Sequence, residues 1–548
     1  MRFRYRGVAW VVFSGLLGLL CLPIACGERD QRAAPQVAER AQPALRLVAL
    51  TDISGYLEPC GCQSRPLGGI DRAAAKLAAL RADRVPVLFV AAGDLLFGDT
   101  PEGARGSAQA TTQETWKAET MVEILNRVGL AAAAPGKRDL SFGEPELQRL
   151  IGRSTFAWLP AKPGDGTNRE AVGGWLGHAG EHKVGVVGVS TFEGPEAVLP
   201  AERFQGLREL TQAQIDKLRA AGARVVVVLL SSDQRTGRRL TGSLHGVDFV
   251  VQGGLDDAQA NAPSTVGAGT LLRAGRQGQG LLVVDVYLDA KGSTPFLDVS
   301  EWTRREQSTA LQASIGDLSQ RIATWEHDPK VQPASLQEQR SKLNTLREQL
   351  ERAQRAPPVP PVQGNAFSAR YEPLTVEQSR DKTIGDVIHA YDARVNDHNR
   401  VAFADLKPAE PAAGAARYVG SNACQTCHAP AYTWWTQHPH GHAYTTLERA
   451  HKQFNLSCVG CHVTGYDQPG GSTVVHNEGL IHVGCESCHG PGSRHIAQPR
   501  AASTALTKQP GEAVCKQCHT PEHSDLFEFN AYVARLRVKG HGLPLSTD

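Results

Sequence analysis

The sequence predicts a multi-domain protein: an α/β sandwich, a helical hairpin, and a small, mainly α-helical C-terminal region. Three observations carry this. Between residues 46 and 300, short runs of branched aliphatics alternate with helical patterns. From 301 to 356 the apolar residues recur at steps of three and four. After residue 416 large aliphatics become few, while eight of the twelve cysteines and thirteen of the nineteen histidines gather there. A chain of 548 residues is also too long for one core.

Residues 1–25 read as a signal peptide of lipoprotein type. Arg2, Arg4 and Arg6 precede the apolar run GVAWVVFSGLLGLLCLPIAC, which ends at Ala25-Cys26-Gly27. Cys26 is the lipidation candidate, although Pro23 departs from the usual pattern. An uncleaved anchor is the alternative, because the run is nearly long enough to span a bilayer. Either reading exports the protein to a periplasmic or outer-membrane face and tethers it to a membrane. Residues 26–45 (CGERDQRAAPQVAERAQPAL) are polar and rich in Ala and Pro, as a tether is. A net charge of +2, with 41% hydrophobic and 21% charged residues, is ordinary for a globular chain and argues against a nucleic-acid partner. None of these features sets an oligomeric state.

Within 46–300, LRLVALTD, VPVLFVAAGD, HKVGVVGVS, ARVVVVLLSS and VDFVVQGG are nearly continuous apolar runs, the pattern of strands covered on both faces. AAAKLAALRA and QAQIDKLRAAG read as the helices between them, and LLVVDVYLD as a closing edge strand. In 301–356, Leu311, Ile315, Leu318, Ile322 and Trp325 lead to HDPKVQP, then Leu336, Leu343, Leu346 and Leu350. Ser335 and Glu338 make a capping box at the second helix. This is a hairpin of coiled-coil type, or a dimerisation arm; Pro and Asp in the break favour the hairpin. Residues 357–416 begin with the stiff spacer PPVPP. A helix with Ile384, Val387, Ile388, Tyr391 and Val395 on one face follows, and PAEPAAGAA leads into residues 417–548.

That last region holds four CxxCH motifs: Cys424/Cys427/His428, Cys458/Cys461/His462, Cys485/Cys488/His489 and Cys515/Cys518/His519. Two cysteines at this spacing form thioethers to the vinyl groups of a c-type haem, and the adjacent histidine reaches the iron. One such motif alone could be half a zinc site. Zinc does not require a histidine directly after every second cysteine, so the pattern indicates four c-type haems. They would supply the core that the aliphatics do not, giving a mainly α, haem-packed multihaem cytochrome c domain over 417–548. The second iron ligands can be bounded. Only Met1 and Met121 exist, and neither lies in this region, which disfavours Met ligation. His440, His442, His451, His495 and His541 are the leading candidates, with His476, His482 and His523 behind them. Electron transfer would need donor and acceptor proteins, which the sequence leaves unnamed.

The segments YVGSNACQTCHAPAYTWWTQHPHGHAYTTL, CVGCHVTGYDQPGG, VGCESCHGPGSRH and CKQCHTPEHSDLFEFNAY resemble the tetrahaem cytochrome c family related to the electron acceptor of hydroxylamine oxidoreductase. The resemblance covers about 417–548. It implies bis-histidine haems with one open or weakly held site. It places second ligands at His440 and His495, with His541 a further candidate and His438 and His442 flanking the first.

Over about 46–290, LRLVALTDISGYL, PLGGIDRAAAKLAAL and VLFVAAGDLLFG resemble the metallophosphoesterase domain of periplasmic 5′-nucleotidases. That family holds two metals on Asp and His residues at strand ends, and Asp52 and Asp94 stand at two of those positions. The histidines are gone. Ser54 replaces the first, Gly136-Lys137-Arg138-Asp139 replaces Asn-His, and Ser231-Ser232-Asp233 and Gly253-Gly254-Leu255-Asp256 replace the later ones. Two carboxylates cannot clamp two ions, so hydrolysis is expected to be lost. Some relatives in this broad group, proteins similar to the UshA type, carry Cys-Gly-Cys in the first loop, as Cys60 and Cys62 do here. A CxC disulfide closes a very small, strained ring. Cys60 and Cys62 can be read as a redox pair, as ligands of an additional metal with Asp52 and Asp94, or as a turn staple. The leading expectation is an electron-transfer protein, in one form a reductase acting through Cys60 and Cys62. A metal-dependent phosphoesterase and a non-enzymatic haem wire with a docking domain are the alternatives.

Overall fold

The computed structural model describes residues 42–59, 66–98, 108–160, 171–192, 199–255, 261–289, 295–300, 304–327, 331–354, 364–499, 506–520, 523–524 and 526–543. The signal peptide, Cys26, most of the tether, Cys60, Cys62 and PPVPP lie outside the described residues. No helix among the described residues is long and apolar enough to cross a membrane.

The α/β region runs β1 (Leu45–Thr51), α1 (Ile70–Ala82), β2 (Val87–Gly93), α2 (Ala108–Arg127), β3 (Ala132–Pro135), α3 (Glu144–Ile151) and β4 (Ala157–Trp158). It continues with β5 (Ala171–Ala179), β6 (His182–Ser190), α4 (Ala201–Ala220), β7 (Val225–Ser231), α5 (Gln234–Ser243) and β8 (Phe249–Gly253). Strands β9 (Asn261–Val266), β10 (Gly269–Arg273), β11 (Gly280–Tyr287) and β12 (Leu297–Asp298) follow. Helices α6 (Arg304–Glu326) and α7 (Pro333–Gln354) then precede β13 (Ala366–Pro373) and α8 (Lys382–Ala402).

One sheet has the order β12-β13-β11-β1-β2-β3-β4, the other β5-β6-β7-β8-β10-β9. Strand alternation sorts the side chains. Leu45, Leu47 and Ala49 of β1 pack with Val184, Val225, Val227 and Phe249 of the second sheet, forming the layer between the sheets. Val48 and Leu50 face the other way, into a core with Leu77 of α1, Val122 and Leu125 of α2, and Ile384, Ile388 and Tyr391 of α8. Helices α4 and α5 cover the far face of the second sheet through Leu207, Ile215 and Leu240. The result is a four-layer helix–sheet–sheet–helix sandwich.

Two boundaries differ from the sequence reading. LLVVDVYLD, expected at an edge, is β11, hydrogen-bonded between β1 and β13. The segment 357–416, expected as spacer and helix, supplies β13 to that sheet and α8 to its core. Residues Gly280–Tyr287 pair antiparallel with Ala366–Pro373 across the intervening helices. The polar alternation of AFSARYEP masks this strand, because only part of it is buried. Helices α6 and α7 lie along each other as an insertion between β12 and β13, burying Leu318, Ile322 and Leu343 in a small core of their own.

Candidate functional site

The α/β half of the site forms where β1, β2 and β3 end. Asp52 follows β1 with φ 48°, and Ser54 with φ 52°, left-handed conformations that non-glycine residues adopt at a cost of order 1–3 kcal/mol. Asp52 Oδ1 accepts the backbone N–H of Asp94 at 3.0 Å and of Gly254 at 2.8 Å. Gly93, at φ 89°, makes room for it, since a Cβ there would sit 2.0 Å from Asp52 Oδ1. Asp52 Oδ2 is buried with no hydrogen-bond partner. Burial first, then the charge of Asp94, pushes Asp52 up to about 7.

Asp94 is held by Arg138. The Arg138 backbone N–H donates to Asp94 Oδ1 at 2.7 Å, and its guanidinium donates to Oδ2 at 3.3 Å. Beside them Asp139 is fully buried, accepting the backbone N–H groups of Leu95, Leu96 and Gly136. Burial and the nearby Asp94 push it well up. In the sequence GKRD stands where the resembled family has Asn-His; in the structure its Arg138 guanidinium pairs with Asp94, where the family resemblance implies a metal ion. No cluster of three or more metal-ligating groups occurs among the described residues. This donor set does not fit the proposed additional metal at Asp52 and Asp94, and the positions of Cys60 and Cys62 lie outside the described residues.

The CxxCH half is built on single helical turns. His428 N–H donates to Cys424 O, and His519 N–H to Cys515 O, each at 2.9 Å. One turn sets residues i and i+3 on the same face, so both sulfurs of a motif point to one side with the histidine beside them. Cys424 hydrogen-bonds Cys485 and Cys461 hydrogen-bonds Cys518, bringing the four motifs together as two adjoining pairs. Glu486 accepts the backbone N–H groups of Val419, Gly420 and Gly492 and ties the loops around the third motif.

The eight motif cysteines differ in exposure, and Cys427 stands apart. It is exposed, whereas the other seven motif cysteines are partly buried. The cause is the placement of the first motif at the protein surface, where residues 425–430 are all exposed. None of the eight is in a disulfide, so both sulfurs of every motif keep their thiols for thioether bonds.

The histidines supply the fit test for haem. A metal–imidazole bond is about 2 Å and the ring centre lies about 1 Å further, so two imidazoles across one iron have centres about 6 Å apart. His428 and His495, His519 and His440, and His489 and His541 each have ring centres 6.2 Å apart. Each pair joins a motif histidine to one of the candidate second ligands. His489 Nδ1 donates to Thr507 O at 2.7 Å, His541 Nδ1 to Leu536 O at 2.6 Å and His462 Nδ1 to Ala443 O at 2.6 Å. Such a bond fixes the tautomer and leaves Nε2 for a metal. Burial, with His438 and His519 nearby, pushes His440 down to about 4, so its neutral ligand form is favoured. His442 pairs instead with His482, ring centres 6.4 Å apart, and His451 is exposed and enters none of these pairs. The residues present fit c-type haem.

The two halves adjoin. Gln113 of α2 donates to Asn455 Oδ1 at 3.2 Å, and Asn399 of α8 donates to Gln113 Oε1 and to Phe454 O. Lys452 is salt-bridged to Glu58, the second residue before Cys60, and lies 3.3 Å from Asp392 of α8. One cavity of about 1620 Å³ is lined by Asp52, Tyr56 and Arg138 on the α/β side and by His440, Cys461, Cys518 and His519 on the other. None of these cross-contacts was legible in the sequence, because they join polar residues up to 394 positions apart.

Covalent sites for haem, paired imidazoles and a shared cavity define a c-type cytochrome region built against an α/β domain. The C-terminal region carries a domain of the family described as cytochrome c554 and c-prime, matched over residues 423–490. Cytochrome c-554 of Nitrosomonas europaea is 31% identical over 123 residues, covering 20% of this chain and 52% of that protein. Snake venom 5′-nucleotidase of Gloydius brevicauda is 28% identical over 196 residues, covering 34% of this chain and 31% of that protein. The chain thus spans about half the first relative and under a third of the second. The 5′-nucleotidase precursor from Thermus thermophilus superposes with a TM-score of 0.41 at 16% identity, covering 72% of this chain and 67% of that one. The chain is thus similar to a 5′-nucleotidase in its α/β region and matches the cytochrome c554 and c-prime family model within its C-terminal region.

Proposed function

We propose that this protein is an exported, membrane-tethered c-type cytochrome with four haems, which transfers electrons between partner proteins. Three motif histidines, each 6.2 Å from a second imidazole, carry the reading. Bis-histidine ligation keeps haem potentials low. The fourth motif histidine, His462, has no such partner among the pairs described, which suits a centre with an open position. When bound, the haems supply the redox chemistry. This chain's own residues orient the imidazoles, hold their tautomers, and enclose the cavity against the α/β domain.

The α/β domain is catalytically degenerate as a hydrolase in this reading, because Arg138 occupies Asp94. Cys60 and Cys62 remain candidates for a thiol step fed by the haems, since Glu58, two residues before Cys60 in sequence, pairs with Lys452 of the C-terminal region. Redox titration of the full-length protein, followed by haem absorbance, tests the proposal. Several low-potential transitions are expected, and their absence together with metal-dependent phosphatase turnover would establish the hydrolase instead. Cys26→Ser is expected to release the protein from the membrane fraction; unchanged membrane association would remove the lipid anchor.

A further inference from the structure

We propose that Asp392, on helix α8 of the α/β domain, is a proton-binding site serving the haem of the second CxxCH motif, and that it takes up a proton when that centre is reduced. The site depends on the cytochrome reading above, which supplies the haem. Helices α2 and α8 grip the second motif. Asn455 N–H donates to Lys452 O and Cys458 N–H to Asn455 O, each at 3.0 Å, so two successive turns run from Lys452 to Cys458. Both turns are held from the α/β side. Gln113 of α2 accepts the Leu456 N–H at 3.1 Å, and Asn396 of α8 accepts the Phe454 N–H at 3.1 Å. One helical turn before Asn396 stands Asp392, only 4% exposed and 3.3 Å from Lys452 Nζ. Lys452 feels the charge of the Cys458 thiol, and so does Tyr391 beside Asp392. A haem joined at Cys458 therefore has an edge within electrostatic reach of this cluster.

Lys452 is shared between two carboxylates. Its partner Glu58, in the loop after β1, also has Arg380 at 3.3 Å. Burial pushes Glu58 up, but Lys452 and Arg380 together hold it below the ordinary range. For Asp392 burial prevails. Lys452 offsets it only in part, Glu58 adds to it, and the carboxyl is pushed up to about 6. Around this trio Arg380 is paired with Asp71 of α1, and His389 of α8 acts on Glu58. Glu114 of α2, paired with Lys117, faces Tyr391. Reduction turns ferric into ferrous iron and removes one positive charge near Asp392, which favours the protonated carboxyl. The electron comes from a redox partner protein and the proton from solvent; one O–H bond forms on Asp392 and no other bond changes. A proton held more tightly in the reduced form raises the midpoint as pH falls, by up to about 59 mV for each tenfold rise in proton concentration.

The test uses the full-length, haem-loaded protein, with Asp392→Asn and Glu58→Gln beside wild type. Haem content is first measured by pyridine haemochrome absorbance. Redox titrations followed by haem absorbance are then run from about pH 5 to about pH 8. In wild type one midpoint is expected to rise as pH falls through about 6. Asp392→Asn has no charge to lose, so that midpoint should stay near its acid limit at every pH. Glu58→Gln removes the carboxylate that competes for Lys452, so Asp392 ionises more easily and the rise moves to lower pH. A merely structural Asp392 would leave the wild-type pH profile in Asp392→Asn, and that result overturns the proposal. Midpoints independent of pH in haem-loaded wild type overturn it as well. If Asp392→Asn does not mature, an undisplaced profile in Glu58→Gln overturns it. Absence of haem in wild type would overturn the cytochrome reading and this site with it, an outcome that the haem assay separates from the others.

Discussion

At the scale of single residues, the site is a set of paired imidazoles and of carboxylates held by backbone N–H groups and Arg138. His495→Ala is expected to leave the His428 haem five-coordinate, with carbon monoxide binding to one more centre than in wild type. An unchanged carbon monoxide stoichiometry would separate His495 from that iron. Asp52 gives a pH signature. It keeps its proton to about pH 7 in the fold, against an ordinary value of 3.8. The folded state therefore binds the extra proton in that window, and stability falls as pH rises through it. Asp52→Asn should lose about 3 kcal/mol of this change between about pH 4.5 and about pH 8, read from denaturant midpoints at each pH. A variant with the wild-type slope would show that Asp52 is ionised in the fold. At this scale the sequence was informative wherever chemistry is local. The CxxCH spacing places two sulfurs and an imidazole on one turn, so all four motif histidines could be named. The same spacing says nothing of burial, which is why the exposure of Cys427 had to come from the fold. The candidate second ligands come from distant segments, and His440, His442 and His451 look alike until the chain is folded. Arg138 was hidden because its function comes from Asp94, which lies 44 residues away.

At the scale of elements, the sheet and the cytochrome domain are joined by helices that serve both. α8 buries Ile384 and Ile388 in the sandwich core and donates from Asn399 to Phe454 of the cytochrome domain. Lys452 binds Glu58 and lies against Asp392, which is only 4% exposed. Lys452→Met leaves two partly buried carboxylates facing each other and should destabilise the protein by about 2–3 kcal/mol. Chemical denaturation measures it, and a loss below about 0.5 kcal/mol would show a solvent-screened contact. The α6–α7 insertion should behave oppositely, because Leu318, Ile322 and Leu343 pack on each other. Replacing 304–354 with a short flexible link is expected to keep both haem content and the thermal midpoint; loss of haem would show that the hairpin supports the cytochrome domain. The apolar runs of β1, β2, β6, β7 and β8 were legible because both faces are covered. β13 was not, since its pairing partner β11 precedes it by a 78-residue interval between their closest ends.

At the scale of the whole molecule, a region similar to c-type cytochromes is set against an α/β domain in which Arg138 pairs with Asp94. The shared cavity is the feature that makes the fusion more than two tethered parts. If Cys60 and Cys62 take electrons from the haems, the Cys60→Ser/Cys62→Ser protein should retain every haem midpoint and lose thiol-linked reduction. Retention of that reduction would remove the pair from the pathway. The central claim is that all four CxxCH motifs carry covalent haem. Intact-mass measurement of the full-length protein matured with cytochrome c assembly tests it most directly. The mass should exceed that of the processed polypeptide by four haem groups; a gain of fewer than four, or none, would contradict the account.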